Sequence, residues 1–158
     1  QGYGKEKDIA SGNFSLHEAF LDGLLLVSPE VRRYRRVAEI IASQKLLVSE
    51  YRAALRAFGS GDVFAAGELA YLERVYSGLL EESLSGLEDL AMVVTASKLR
   101  MDDGERLAAI DRIFGETSVR LEFLRGFNRE AMGLFRQKDR AKGELERLKL
   151  YFNGKELR

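Results

Sequence analysis

Apolar residues recur at intervals of three and four positions along most of the chain, which is the spacing of helices that bury one face. The first long stretch with this pattern follows Ser28 and Pro29, and it reaches Phe58, where Gly59-Ser60-Gly61-Asp62 predicts a break. Serine is a favourable N-cap and proline suits the first helical position, so this pair predicts the start of the helix. The side chains predicted to line its buried face are Val37, Ile40, Ile41, Gln44, Leu47, Val48, Tyr51, Ala54, Leu55 and Phe58.

Two further stretches repeat this apolar spacing. A second long helix is predicted from about Ala65 to Leu99, and a third begins beyond Asp102. The third continues into a charged C-terminal extension, residues 136–158, with a predicted stop at Asn153-Gly154. The buried positions predicted for the second helix are Leu69, Leu72, Tyr76, Leu79, Leu80, Ser83, Leu87, Leu90 and Val94, and those for the third are Leu107, Ile110, Phe114, Leu121, Leu124, Phe127, Ala131 and Phe135.

The N-terminal part of the chain has a different character. Residues 1–13 carry three glycines and little apolar pattern, which predicts a flexible lead-in. Ser15 and Glu18 have the spacing of a capping box, and they predict a short helix from about Leu16 to Leu26.

Together these elements predict an all-α protein. Pro29 is the single proline and the connections are short, so the economical arrangement is one domain over residues 1–158. We expect an elongated antiparallel helical bundle with three long helices and a short N-terminal helix. Glycine inside a helix costs about 1 kcal/mol relative to alanine. Close helix contact or a local kink is therefore expected at the glycines within the predicted helices, which are Gly78, Gly86, Gly115, Gly126 and Gly133.

Charge and cysteine content narrow the classes of function. Lys plus Arg number 25 and Asp plus Glu number 25, so no global field attracts nucleic acid and no direct nucleic-acid binding is expected. The chain has no cysteine, which removes disulfides, thiolate metal sites and thiol nucleophiles but leaves the compartment open. No apolar run approaches the roughly 18 residues that a membrane span needs, so no transmembrane segment is predicted.

The densest group of acidic residues is Met-Asp-Asp-Gly-Glu, residues 101–105, which suggests a metal loop, an acid cluster or a helix start. A calcium loop of the EF-hand type fails on spacing, because neither Asp102 nor Asp103 as first ligand places oxygen ligands and glycine where that loop needs them. Asp102 and Glu105, in contrast, have the spacing of a capping box. We therefore expect these residues to cap the third long helix, and we predict no metal and no cofactor.

His17 is the single histidine, so neither a histidine-rich metal site nor a zinc-protease motif can be built. As a lone base it has no nucleophile near it in a recognisable motif, and a surface or packing role is the simpler interpretation. No catalytic residue is predicted, and the chain is not expected to be an enzyme.

Two groups of charged residues are candidates for binding a protein partner. Four arginines surround Tyr34, and they either bind phosphate or an acidic partner surface or form a solvated helix face. Arg35 and Glu39 have the spacing of an ion pair within one helix. An acidic group on the second long helix forms the counterpart, and such separated charges suit docking between proteins. The residues concerned are Arg32, Arg33, Arg35, Arg36, Glu81, Glu82, Glu88 and Asp89.

Several segments resemble a family of exported helical proteins encoded in Bacteroidetes-type conjugative transposons, whose members are labelled TraI-like conjugal transfer proteins or TerB-family tellurite resistance proteins. The segments are DIASGNFSLHEAFLDGLLLVSP, VRRYRRVAEIIASQ and ELAYLERVYSGLLEESLSGLEDLAMVVTASKLRMDDGERLAAIDRIF, followed by FLRGFN. The similarity covers about Asp8 to Asn128, and its most distinctive part is Met92 to Phe114.

This resemblance implies an export signal before a further N-terminal helical segment, residence in the periplasm and a place among conjugative transfer genes. The function it suggests is a non-enzymatic helical scaffold or interaction protein whose partners belong to a conjugation apparatus. The alternative is a TerB-like ion-responsive or tellurite-resistance-type stress protein that uses Asp102, Asp103 and Glu105. The resemblance supplies no catalytic residue, and the sequence does not give the oligomeric state.

Overall fold

The computed structural model describes residues 34–156, with side chains described as far as residue 153. This part of the chain forms three helices, which are α1 (Arg35–Phe58), α2 (Ala66–Thr95) and α3 (Asp103–Glu156), and it contains no strand. The prediction of an all-α protein is confirmed. The flexible lead-in (1–13), the short helix (16–26) and the helix start at Ser28 and Pro29 all lie outside the described residues.

Helix α1 ends where the sequence predicts but begins later. Tyr34 is extended, with φ −97° and ψ 105°, so the helix that contains Val37 does not run back without a break to Pro29. At the other end the N–H of Gly59 donates to Leu55 O at 3.0 Å, and the chain then turns through Gly61, whose φ is +71°. A positive φ favours glycine, which explains why the helix stops at the glycine-rich segment.

Helix α2 begins close to the predicted position and ends four residues early. Its first free N–H, that of Ala65, donates to the Glu68 carboxylate at 2.9 Å. Its last residue is Thr95 rather than Leu99, because Ala96 adopts an extended conformation with ψ 133°. The prediction of a helix to Leu99 is therefore wrong, and the short turn that follows brings the chain back to α3.

Helix α3 is much longer than the other two. It contains 54 residues, which correspond to about 80 Å at 1.5 Å per residue. The predicted stop at Asn153-Gly154 is wrong, since the helix continues to Glu156. One asparagine and one glycine cost a long helix about 1 kcal/mol each or less, which is too little to end it.

Contacts between the helices define their directions. Arg36 pairs with Asp111 and Glu50 pairs with Arg125, so α1 and α3 run the same way. Helix α2 runs the opposite way, since its Glu68 pairs with Lys138 late in α3, and its C-terminal end lies against Arg106 near the start of α3. Consecutive helices are thus antiparallel, and each helix contacts both of the others.

The core consists of two apolar clusters with a polar layer between them. One cluster is rich in aromatic residues and the other is aliphatic. The aromatic cluster contains Leu47, Val48, Tyr51, Ala54, Phe58, Phe64, Leu72, Tyr76, Leu79, Leu80, Leu121 and Leu124. The aliphatic cluster contains Val37, Ile40, Ile41, Leu87, Leu90, Val93, Ile110 and Ile113.

Each helix contributes one fully buried polar residue to the level between the two clusters, namely Gln44, Ser83 and Thr117. The Thr117 hydroxyl donates to Ile113 O at 2.8 Å, within its own helix. The Ser83 hydroxyl has no hydrogen-bond partner among the described residues. A buried polar layer makes a bundle less stable than one with leucine at the same positions. It also disfavours other helix registers, in which these polar groups would be buried against apolar side chains.

The glycines inside the helices have different surroundings. A Cβ on Gly86 would lie 3.3 Å from the Arg120 guanidinium, so close helix contact explains this position. A Cβ on Gly78, Gly115 or Gly133 would meet no atom within 4 Å. Close helix contact is therefore not the explanation at these three, where the glycine leaves open surface, and the alternative of a local kink stays a prediction.

Candidate interaction surfaces

The acidic group at the start of α3 caps that helix. Asp102 Oδ1 accepts a hydrogen bond from the N–H of Glu105 at 2.7 Å, and the N–H of Asp102 donates to Glu105 Oε1 at 3.5 Å. The hydrogen bond from the Glu105 backbone, with smaller contributions from the Glu105 side chain and the Gly104 N–H, holds the pKa of Asp102 below its ordinary value. Asp103 is exposed in the first turn, where the helix dipole favours an acidic side chain.

The same capping residues were predicted to serve the alternative function, that of a TerB-like ion-responsive protein. Both Asp102 and Glu105 point at backbone donors of their own helix end. Across residues 34–153 no group of three or more His, Cys, Asp or Glu side chains has the arrangement of a metal site. The remaining residues predicted as caps, Ser15, Glu18, Ser28 and Pro29, lie outside the described residues, as does His17.

Arg106 holds the turn between α2 and α3, a role that the sequence analysis missed. Its side chain is buried, and its guanidinium donates to the backbone carbonyl oxygens of Val93 and Ala96. These carbonyls lie at the C-terminal end of α2, where the helix provides no donors. Position 106 precedes Ile110 and Ile113 at helical spacing, and that spacing was the available signal. Leu107, predicted to be buried instead, is about half exposed.

The arginine-rich segment around Tyr34 is partly engaged within the bundle. Arg32 and Arg33 lie outside the described residues. Arg35 is 94% exposed and pairs with Glu39 at 3.2 Å, the partner that its spacing predicts. Arg36 pairs with Glu39 and Asp111, and its guanidinium lies 4.2 Å from the centre of the Phe114 ring. Arg36 therefore joins α1 to α3, and Arg35, although paired with Glu39, is the more exposed of these two described arginines.

The acidic surface on α2 consists of Glu81, Glu82, Glu88 and Asp89, all of which are exposed. Glu82 lies 3.7 Å from Arg120, and no ion pair joins the other three to a described residue. Helix α2 as a whole contains six acidic residues and one arginine. It is therefore the strongly negative helix of the bundle.

An aromatic patch lies on the outside of the bundle where α2 meets α3, and it consists of Tyr71, Phe123 and Phe127. Tyr71 is 54% exposed and Phe123 is 52% exposed. The Phe127 ring lies between them, with centroid distances of 6.4 Å to Tyr71 and 6.1 Å to Phe123. It also packs edge-on against the buried ring of Tyr76, which anchors the patch to the core.

A shallow groove lies farther along the α2–α3 boundary, and none of the three patch residues lines it. Glu82 and Asp89 follow Tyr71 at eleven and eighteen positions, which places all three on one face of α2. Three small residues, Ser85, Gly86 and Gly115, lie among mostly charged residues in its lining. The residues lining the groove are Glu82, Ser85, Gly86, Asp89, Asp111, Arg112, Gly115, Glu116, Val119 and Arg120.

A polar group lies inside the aromatic cluster. Glu73 is buried on α2, and the Tyr76 hydroxyl donates to Asn128 Oδ1. Burial raises the pKa of Tyr76, and burial followed by the charge of Glu73 raises the pKa of Tyr51. The rings of Tyr51 and Tyr76 stack at a centroid distance of 5.4 Å. Apolar spacing gave no reason to single out Glu73, although Leu69, Leu72 and Tyr76 flank it on the buried face.

None of the three described helices has the length and apolar content that a membrane crossing requires. Comparison of the chain with protein-family models, with curated proteins and with solved structures finds no match. The surfaces described above are therefore the basis for a functional proposal.

Proposed function

We propose that this protein is a non-enzymatic helical scaffold that binds a partner protein along the groove between α2 and α3. The observation that carries the proposal is the aromatic patch, in which Tyr71 and Phe123 leave about half of their surface in solvent. Exposed aromatic side chains held by a rigid core are typical of binding surfaces, because they bury a large area at a small cost in conformational entropy.

The charges beside the patch define the chemistry of the partner. Glu82 and Asp89 lie in line with Tyr71 on the acidic surface of α2. A partner helix with an apolar face and lysine or arginine at its flank would bury its apolar face on the rings and pair its cations with these carboxylates. The small side chains along the groove, among them Gly115, allow a helix backbone to approach closely.

The resemblance to conjugative transposon proteins supports a cellular setting for this role. We place the protein in the periplasm, after removal of an export signal, as a contact element of a conjugation apparatus. The finer form of the fold, an elongated antiparallel bundle with a short additional N-terminal helix, belongs to the same proposal. The lengths and alternating directions of α1, α2 and α3 support the elongated antiparallel arrangement, and the short N-terminal helix lies outside the described residues.

Site-specific photo-crosslinking in donor cells tests the scaffold function. A photoreactive phenylalanine analogue at Phe123 should capture a protein of the transfer channel. The matched control is the same analogue at Leu46, an apolar residue on α1 that is 47% exposed and does not line the groove. Deletion of the protein should lower the frequency of DNA transfer. Equal capture at both positions, together with undiminished transfer after deletion, would contradict the proposal.

The charge of the partner is tested by reversing the acidic residues in the groove. Glu82→Lys combined with Asp89→Lys should abolish capture at Phe123, because cations would then face the basic flank of the partner. Glu122→Lys, an exposed charge reversal on α3, provides the control and should leave capture unchanged. Undiminished capture by the double variant would show that the partner is not basic.

A further inference from the structure

Helix α3 projects beyond the rest of the bundle. The last contacts that hold it to the body are a Lys138–Glu68 ion pair at 2.5 Å and a hydrogen bond from Lys142 Nζ to Gly61 O at 2.7 Å. From Glu144 to Asn153 every side chain is exposed. This projecting arm, residues 144–156, is about 20 Å long at the rise of an α-helix.

The arm carries an apolar seam that neither α1 nor α2 covers, although the Phe152 ring lies 5.7 Å from the Tyr151 ring of the same helix. Leu145 and Leu148 are each 52% exposed and Phe152 is 54% exposed. With Ala141 they follow intervals of four, three and four residues, which is the seven-residue spacing of a coiled coil. One face of the helix therefore presents four successive apolar positions to solvent, although an isolated helix gains nothing from such a seam.

We infer that the arm pairs with the arm of a second copy of this chain as a short parallel coiled coil. The charges beside the seam identify the occupant. If Leu145 and Phe152 take the first core position of the heptad, Glu144 precedes the seam and Lys149 follows Leu148 on its other side. In a parallel pair a residue at the position of Glu144 faces the residue five positions later in the partner, which is Lys149. Twofold symmetry forms this ion pair twice.

Lysine residues beside the seam disfavour the antiparallel orientation of the two helices. In an antiparallel pair the positions of Lys142 and Lys149 lie on the same side of the seam and face each other, so two lysine pairs would replace the two attractive pairs. Lys142 also donates to Gly61 O and is committed to the body of its own molecule.

The structure also explains how so short a seam suffices for association. A separate peptide of about 13 residues would be only marginally helical, because helix nucleation is costly. Here the arm continues a helix that the bundle already holds in place. Most of the conformational entropy of the arm is therefore lost on folding, before two copies associate. The remaining free energy of burying leucine and phenylalanine on each copy is available for association.

A single engineered cysteine tests the pairing, because the natural chain contains none. Leu148→Cys places thiols across the seam from each other in the parallel register, within reach of a disulfide. Mild oxidation should convert this variant to a covalent dimer on a non-reducing gel. Leu150→Cys is the matched control, since Leu150 is exposed on the same arm but away from the seam, and it should crosslink much less. Equal crosslinking of the two variants would overturn the inference.

Charge reversal provides an independent test on folded protein at equilibrium. Sedimentation equilibrium should show a dimer whose association constant falls by roughly threefold to tenfold in Glu144→Lys, as two attractive pairs become repulsive. The double variant Glu144→Lys, Lys149→Glu should recover it. Circular dichroism confirms that each variant keeps its helices. A monomer at all accessible concentrations, or no recovery in the double variant, would overturn parallel pairing, and neither result would affect the proposed function of the α2–α3 groove.

Discussion

Arg106 shows how one side chain can determine where a helix ends. The last carbonyls of α2 have no intrahelical donors, and the buried guanidinium supplies donors to two of them, those of Val93 and Ala96. These bonds join the end of α2 to the first turns of α3. A buried arginine usually destabilises a core unless its donors are satisfied, and here backbone oxygens satisfy them.

Replacing Arg106 should therefore loosen the α2–α3 turn. Arg106→Met keeps the length and the apolar stem of the side chain but leaves both carbonyls without their donors. We expect the free energy of unfolding to fall by about 2 kcal/mol, the usual effect of losing hydrogen bonds to a charged group. Urea denaturation followed by circular dichroism measures the change. Arg112→Met removes only a surface ion pair with Glu116 and should have little effect. Equal effects would contradict the role of Arg106.

The Asp102 cap should make stability depend on pH in the acid range. Because the folded state lowers the pKa of Asp102, its ionised form contributes stability that is present above the ordinary aspartate pKa. That contribution is lost as the pH falls through the lowered pKa. The thermal midpoint of Asp102→Ala should therefore lie below that of the natural protein at pH 7. The two midpoints should converge at strongly acid pH, and a constant difference across the range would contradict the assignment.

At the scale of the helices, the glycines differ in whether a neighbouring side chain leaves room for a methyl group. Gly115→Ala and Gly133→Ala should each raise the free energy of unfolding by about 1 kcal/mol, because alanine is the better helix former and its methyl group meets no atom there. Gly86→Ala should instead lower it, since the new methyl would press against Arg120. Urea denaturation of the three variants measures these changes. Stabilisation by all three would show that Arg120 moves aside freely.

Spacing of apolar residues predicted the helices well and some of their ends poorly. The glycine-rich segment 59–62 ends α1 as expected, because positive φ is a local property of that segment. The end of α2 at Thr95 depends on Arg106, which approaches only after the chain has turned, so local sequence could not locate it. The asparagine and glycine near residue 153 failed as a stop because their cost is small in a helix already 50 residues long.

The exposed surfaces were harder to predict than the core. Apolar spacing placed Phe127 on the predicted buried face of the third helix, but it did not indicate that the exposed Phe123 would form a patch with it. The structure shows that Phe123 remains half exposed, while Phe127 packs against Tyr76. The acidic residues on α2 were visible in the sequence, but their alignment with Tyr71 along a groove required the position of α3.

For the molecule as a whole, stability should vary along the single helix α3. Its middle packs into both core clusters, whereas every side chain from residue 144 to residue 153 is exposed in the described part of the chain. In dilute protein, amide hydrogen exchange should be slow around Ile113 and Leu124 and fast beyond Glu144, since exposed helix ends open without global unfolding. Mass spectrometry of peptic fragments resolves the two regions. Uniform protection along α3 in dilute protein would contradict this picture.

The continuous helix α3 also fixes the distance between the body of the protein and the tip of the arm. From the buried Arg106 to Phe152 the helix spans roughly 70 Å, and the distance cannot change in small steps because each residue adds about 1.5 Å and about 100° of rotation. One residue inserted after Gly143 would swing the tip sideways, whereas seven would extend its reach by about 10 Å and keep nearly the same heading. The number of residues in the arm thus determines both how far the tip extends and which way its apolar face points.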